Sequence, residues 1–163
     1  LVGSEMCIRD SLILGDSISA GYGINKKDNW VYLMQQKFDE EGNSIKLINS
    51  SVSGDTTGGG LGRLAKNLKK FKPDFVLIEL GGNDALRGYS IKLIKSNLEK
   101  MIALIKQNKS KVLLMQIRIP PNYGQKYMLA FEKIYKDLAL SEEVYLMPFM
   151  LEEIGINLSL IHI

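Results

Sequence analysis

The sequence is poor in the side chains that bind metals. It has a single cysteine, Cys7, and a single histidine, His162, in 163 residues. With one residue of each kind, no zinc site of the usual cysteine and histidine spacings can form. Apolar runs are short as well, and none approaches the roughly 18 residues that indicate a membrane-spanning helix. The sequence therefore predicts neither a metal site of this type nor stable insertion into a membrane.

A large excess of charge is also missing. The chain has 21 lysines and arginines against 18 aspartates and glutamates, a net charge of +3. The lysines are spread along the predicted helices, which favours solvated helix faces and no nucleic-acid partner. The length, with 45% hydrophobic and 24% charged residues, is typical of one globular domain.

The two ends of the chain lack the periodicity of a helix or a strand. They read LVGSEMCIRDS and LSLIHI, and the first lacks the charged and apolar regions of a signal peptide. DNA that can encode residues 158–163 has a reverse complement that encodes residues 6–11 after a shift of one base. This inverted repeat is similar to the transposase adapter of sequencing libraries. We therefore expect non-native tails at residues 1–11 and 158–163, which contain Cys7 and His162, around a domain at residues 12–157.

Within that domain, apolar segments alternate with helical patterns. Five apolar runs, at residues 12–14, 45–52, 75–80, 112–117 and 144–147, indicate buried strands. Between them, apolar residues recur at helical spacing, and Asp28 or Asn29 can cap the first helix. This alternation predicts an α/β fold, in which a five-stranded parallel sheet lies between helices on both faces, in three layers.

Ligands of such folds bind outside the carboxyl ends of the strands. The loops at those ends read GDSISAGYG, SGDTTGGGLG, GGNDALRG and RIPPNYG. Three of them place small polar residues beside glycine. Ser17 follows the first strand, Gly54 the second and Asn83 the third, so we expect these residues to lie close together.

The blocks GDS, SGD and GGND, in this order, resemble the SGNH (GDSL-type) serine hydrolases. The longer blocks LILGDSISAGYG, SGDTT, ELGGNDALRG, LLMQIRIPPNYG and PFMLEEI are most similar to the bacterial periplasmic members with acyl-CoA thioesterase, lysophospholipase and arylesterase activity. The resemblance implies a flavodoxin-like SGNH hydrolase fold that acts on acyl esters or thioesters as small-molecule substrates. It implies no cofactor and no metal, and a periplasmic or secreted location.

Ser17 is then the nucleophile that forms an acyl-enzyme. The backbone N–H groups of Ser17 and Gly54 and the side-chain amide of Asn83 can form the oxyanion hole. The glycine at position 54 lets the backbone approach the substrate. Asp16 and two further aspartates, Asp55 and Asp84, are expected to hold the loops through local backbone N–H groups.

The family's last block, an Asp-x-x-His that supplies the general base and its orienting carboxylate, is not in the sequence. Neither is the final helix that follows it. His162 has no aspartate three residues before it, and we do not assign it as the base. We therefore expect the chain as given to be a truncated and inactive form of a serine hydrolase.

Two other readings stay open. The residues Gly60-Leu-Gly62-Arg-Leu-Ala match G-x-G-x-x-A, with Glu79 about 20 residues further on, as in a dinucleotide-binding domain. A non-catalytic α/β module is the second alternative.

We expect residues 58–62 to form a flexible loop. Arg118, at a strand exit, can either meet a substrate or pair with an acidic side chain.

Overall fold

The computed structural model describes residues 9–151 and contains a five-stranded parallel sheet with the strand order β2-β1-β3-β4-β5. This order is that of the flavodoxin-like doubly wound folds. The strands are β1 (Arg9–Gly15), β2 (Ile45–Asn49), β3 (Phe75–Glu79), β4 (Lys111–Met115) and β5 (Tyr145–Met147). The predicted five-stranded α/β fold is confirmed.

Six α-helices lie between the strands of the described part of the chain. They are α1 (Ser17–Ala20), α2 (Trp30–Glu40), α3 (Thr57–Phe71), α4 (Gly82–Leu86), α5 (Ile91–Gln107) and α6 (Gln125–Ser141). Polar side chains cap the N-termini of α2 and α5, and the cap of α2 is one that the sequence predicts. Asn29 Oδ1 accepts a 2.8 Å hydrogen bond from the N–H of Val31 at the start of α2. Ser90 Oγ accepts one of 3.2 Å from Leu93 at the start of α5.

Helices cover both faces of the sheet, but to different extents. On one face, α3, α5 and α6 pack over the fully buried Leu12, Val76 and Leu114. Successive side chains of a strand point to opposite faces, so Ile13 and Leu77 belong to the other face, on which α2 packs. Within residues 9–151, α2 is the one helix on this second face. An apolar cavity of about 260 Å³ remains beside it.

The first strand is longer than the sequence predicts. It begins at Arg9, whose N–H donates to the carbonyl of Ser44 over 2.8 Å, and residues 9–11 pair with residues 45–47 of β2. Part of the expected N-terminal tail is therefore paired in the sheet. Cys7 and His162 lie outside the described residues, and the non-native origin of residues 1–11 and 158–163 stays a prediction.

Residues 58–62 are helical, and the expectation of a flexible loop there is wrong. The Thr56 hydroxyl accepts a 3.2 Å hydrogen bond from the N–H of Gly59 and thus caps α3. A Cβ on Gly60 would overlap the Cδ1 atom of Leu80, so glycine permits close contact between α3 and the sheet. Packing of this kind outweighs the low helix propensity of glycine.

No helix of residues 9–151 is both long enough and apolar enough to span a membrane.

Candidate functional site

The three polar blocks meet at the carboxyl edge of β1 and β3. The side-chain nitrogen of Asn83 donates to Asp16 Oδ2 over 3.0 Å and to the backbone carbonyl of Asp55 over 2.9 Å. One amide thus joins the loop after β1, the loop after β2 and helix α4. The sequence predicts that Ser17, Gly54 and Asn83 lie close together. The structure joins the loops that carry them, through the contacts of Asn83 with Asp16 and Asp55.

Ser17 is the first residue of α1 and is half-buried. Asp16 precedes it, and its Oδ1 atom accepts a 3.0 Å hydrogen bond from the N–H of Ile18. Gly21 ends the short helix with a φ of 75°, a conformation that glycine adopts without strain. Among the described residues, no acceptor takes the backbone N–H of Ser17, as is usual for the first residue of a helix.

Gly54 lies in a tight turn after β2. The N–H of Asp55 donates to the carbonyl of Val52 over 3.1 Å, and Gly54 has a φ of 76°. A positive φ at the third residue of a turn requires glycine or asparagine, as in type II turns. Its carbonyl accepts a 3.0 Å hydrogen bond from Arg87. Its own N–H has no acceptor within residues 9–151.

Asn83 is held in place by the residues on either side of it. Gly81, before α4, has a φ of 121°, and a Cβ there would overlap the hydroxyl of Tyr135. Asp84 is fully buried, and its carboxylate accepts 2.8 Å and 2.5 Å hydrogen bonds from the N–H and hydroxyl of Thr57. These contacts fix α4 against the start of α3, and with it the direction of the Asn83 side chain.

Arg63 connects the loops of the site from the side of α3, a role that sequence reasoning missed. Its Nε and Nη2 atoms donate to Asp55 Oδ2 over 2.8 Å and 2.6 Å. The guanidinium also donates to the carbonyl and hydroxyl of Ser50 and, over 3.4 Å, to the carbonyl of Gly15. One side chain therefore ties together the ends of β1 and β2 and the turn of Gly54. No spacing in the sequence distinguishes this arginine.

Two acidic side chains lie buried beneath Ser17. Asp16 is 5% exposed and Glu79 is 1% exposed. Burial, reinforced by the nearby Asp16 carboxylate, raises the pKa of Glu79 to about 8. Burial also raises the pKa of Asp16. The pair therefore resists carrying two negative charges near neutral pH.

The dinucleotide alternative is not favoured by this geometry. Gly60 and Gly62 lie inside α3, which begins at Thr57, whereas the fingerprint needs its glycines in the turn before the helix. Glu79 is buried under the Ser17 turn and cannot reach a ribose. The expected local role of the aspartates holds for Asp16, but Asp84 binds a residue far away in sequence.

The remaining candidates contribute less to the site. Arg118 is exposed and lies three residues beyond β4, and its role stays a prediction. His162 is outside the described residues. Within residues 9–151, no group of three or more histidine, cysteine, aspartate or glutamate side chains is arranged to hold a metal ion.

The chain is similar to esterases and thioesterases of known sequence and structure. The model of the GDSL-like lipase/acylhydrolase family matches residues 13–159. An arylesterase of Vibrio mimicus is 52% identical over 143 residues, which make up 88% of this chain and 72% of that protein. The thioesterase 1/protease 1/lysophospholipase L1 of Escherichia coli K12 is 43% identical over 143 residues, or 88% of this chain and 67% of that one.

Among solved structures, the psychrotrophic esterase EstA from Pseudoalteromonas sp., inhibited by monoethylphosphonate, matches with a TM-score of 0.90. It is 40% identical, and the match covers 94% of this chain and 84% of that one. The doubly wound sheet, taken with these similarities, defines a hydrolase of ester bonds. The chain belongs to the GDSL-like lipase/acylhydrolase family, so the predicted family resemblance is confirmed.

Proposed function

We propose that the protein expressed from the complete gene is a serine hydrolase that cleaves acyl esters and thioesters through an acyl-enzyme on Ser17, and that the 163 residues alone are inactive. The Ser17 Oγ atom attacks the acyl carbonyl carbon while its proton passes to a base. The tetrahedral intermediate then collapses and expels the alcohol or thiol, which takes up that proton. Water attacks the ester of Ser17 in the same way and releases the acid.

The observation that carries this proposal is the set of donors around Ser17. The N–H groups of Ser17 and Gly54 are unoccupied among the described residues, and the amide of Asn83 lies between their two loops. That amide donates to Asp16 and to the carbonyl of Asp55. An oxyanion therefore takes the place of one of these acceptors. Each donor to an oxyanion typically stabilises the transition state by roughly 3 kcal/mol.

We assign the base to the histidine of an Asp-x-x-His block that the 163 residues do not include. The one histidine of the sequence, His162, has serine and not aspartate three residues before it. Asp16, Asp55 and Asp84 are occupied in holding loops and are not assigned to proton transfer. An imidazole is the group whose pKa suits both removal of the Ser17 proton and its return to the leaving group.

The names of two relatives support the proposed substrate class. One is named an arylesterase and another a thioesterase and lysophospholipase. We therefore assign aryl esters, acyl-CoA thioesters and lysophospholipids as substrates, with no cofactor and no nucleic-acid partner. We also assign a periplasmic or secreted location to the enzyme.

The test compares two activities in the protein expressed from its complete gene. Hydrolysis of p-nitrophenyl esters and of an acyl-CoA should be abolished by Ser17→Ala, because the nucleophile is lost. The matched control is Ser90→Ala, which removes an exposed cap at the start of α5 and should retain turnover. Absence of ester hydrolysis, together with NAD binding that Gly62→Val removes, would establish the dinucleotide alternative instead.

A further inference from the structure

A buried hydrogen-bond network lies directly under the turn that carries Ser17. The Oε2 atom of Glu79 accepts a 2.7 Å hydrogen bond from the hydroxyl of Ser19 and one of 3.3 Å from the N–H of Asp16. The indole N–H of Trp30 donates in turn to the Ser19 hydroxyl over 3.2 Å. Glu79 therefore contacts the turn on both sides of Ser17, at Asp16 and at Ser19. The mechanism described above does not use this carboxyl group.

The same network reaches the Asn83 amide through Asp16. One oxygen of the Asp16 carboxylate accepts from the N–H of Ile18, and the other accepts from Asn83 Nδ2. Gly15 permits the close approach of Glu79 to this turn, because a Cβ there would lie 2.5 Å from Glu79 Oε2. The order of contacts is thus Glu79, then Asp16, then the amide assigned to the oxyanion hole.

The burial of Glu79, which is 1% exposed, favours a neutral acid. Its Oε2 atom accepts two hydrogen bonds, whereas its Oε1 atom is buried with no partner among the described residues. An ionised carboxylate oxygen without a donor costs more in such a place than an uncharged oxygen of a neutral carboxyl group. Arg63, whose guanidinium lies at the same edge of the sheet, forms its ion pair with Asp55.

We propose that Glu79 is a positioning residue that, as a neutral acid, anchors the turn carrying Ser17 and holds the Asp16 carboxylate against the amide of Asn83. This inference rests on the proposed function, because it gives the Asn83 amide a task in the oxyanion hole. Ionised Glu79 would place a second negative charge behind the point where the oxyanion forms. A negative charge on Glu79 would oppose the negative charge of the oxyanion. The neutral form of Glu79 therefore supports the reaction.

The other charged and titratable groups around Glu79 have hydrogen-bond or ion-pair partners of their own. Asp55 is paired with Arg63, and Asp84 is bonded to Thr57. Tyr135 is fully buried, and burial raises its pKa well above its usual value, so it stays neutral. The negative charge of the nearby Asp16 carboxylate raises the pKa of Glu79 further. Within this network, burial raises the pKa of both members of the Asp16–Glu79 pair.

The experiment follows two NMR signals in the full chain, the side-chain carboxyl carbon of Glu79 and the side-chain amide of Asn83. The Glu79 carboxyl should titrate near pH 8 instead of near 4.5, and the Asn83 amide should shift with the same midpoint. Glu79→Gln assigns the carboxyl signal. Because glutamine keeps an acceptor oxygen and no charge, it should hold the Asn83 amide at its low-pH position throughout.

Glu79→Leu removes the acceptor and should displace the Asn83 amide signal even at pH 6, whereas Glu40→Gln, an exposed control on α2, should not. A Glu79 carboxyl that titrates near 4.5 would overturn the proposal. So would an Asn83 signal that does not respond to the Glu79 titration. Wild type and Glu79→Gln decide the matter if Glu79→Leu does not fold. Neither signal depends on turnover, so failure of Ser17 as nucleophile would be seen separately.

Discussion

Replacing Arg63 by methionine should destabilise the fold more than any surface change on α3. Methionine keeps most of the length and apolar volume of the side chain but removes every donor of the guanidinium. Asp55 then loses both of its 2.8 Å and 2.6 Å hydrogen bonds, while its side chain is only 10% exposed. The loop ends at Ser50 and Gly15 lose a donor as well.

The size of the effect follows from the burial of the pair. Removing one partner of a fully buried ion pair costs about 3–5 kcal/mol, because the other charge is left unpaired. The Arg63 side chain is 22% exposed, so water can reach Asp55 once the arginine is gone. We therefore expect a loss of about 2–4 kcal/mol in the free energy of unfolding. In a chain of this size that lowers the Tm by roughly 6–12 °C.

Urea and thermal denaturation of Arg63→Met, Asp55→Asn and the double variant measure this loss and its origin. Residues in one hydrogen-bond network typically show coupling energies of about 0.5–3 kcal/mol, so the two single losses should exceed the loss in the double variant. Arg63→Lys should recover less than half of the stability, because lysine cannot form the two-pronged contact.

Lys66→Met, one turn further along α3 and exposed, is the matched control and should change stability by less than about 0.5 kcal/mol. The reasoning would be refuted by an Arg63→Met variant as stable as the wild type. Strictly additive losses for Arg63→Met and Asp55→Asn would refute it equally.

Three further predictions concern the oxyanion hole, the buried acid and the glycines of α3. Asn83→Ala should lower kcat by roughly 100-fold or more with little change in KM; a rise in KM alone would contradict a role in the transition state. Since the pKa of Glu79 is raised from 4.5 to about 8, the unfolded chain releases this proton first. The stability that the proton contributes is complete below pH 4.5 and declines as the pH rises through about 8. Urea titrations at both ends of this range should show a smaller decline in Glu79→Gln, and an equal decline would count against the assignment. Gly60→Ala should cost about 1–3 kcal/mol by overlap with Leu80, whereas Gly62→Ala, with nothing within 4 Å, should stabilise α3 by about 0.5–1 kcal/mol. Thermal melts that do not separate the two glycine variants would contradict the packing argument.

The sequence was sufficient for the order and type of the main elements. Central strands such as β3 are buried on both faces and are therefore continuously apolar, which makes them visible without tertiary information. The conformation of residues 58–62 was not predictable in this way. Their helix depends on the Thr56 cap and on the contact of Gly60 with Leu80, and that contact exists only after α3 has docked on the sheet.

The residues of the site also differ in how far the sequence alone could predict their positions. Ser17, Gly54 and Asn83 follow strand ends, and the topology of a parallel sheet brings such positions together. The role of Glu79 depends on register, because β3 pairs Glu79 with Gly15 and so places its carboxyl under the Ser17 turn. Arg63 becomes a link between loops only because α3 passes beside all of them.

The most direct test of the central claim is covalent labelling of Ser17 by a fluorophosphonate in the protein expressed from its complete gene. Mass spectrometry of the digested protein should find the phosphonyl group on the peptide that contains Ser17, at one group per chain. Ser17→Ala should abolish labelling, and Asn83→Ala should slow it, because the phosphonyl oxygen uses the same donors as the oxyanion. Labelling on another residue, or labelling that persists in Ser17→Ala, would contradict Ser17 as the nucleophile.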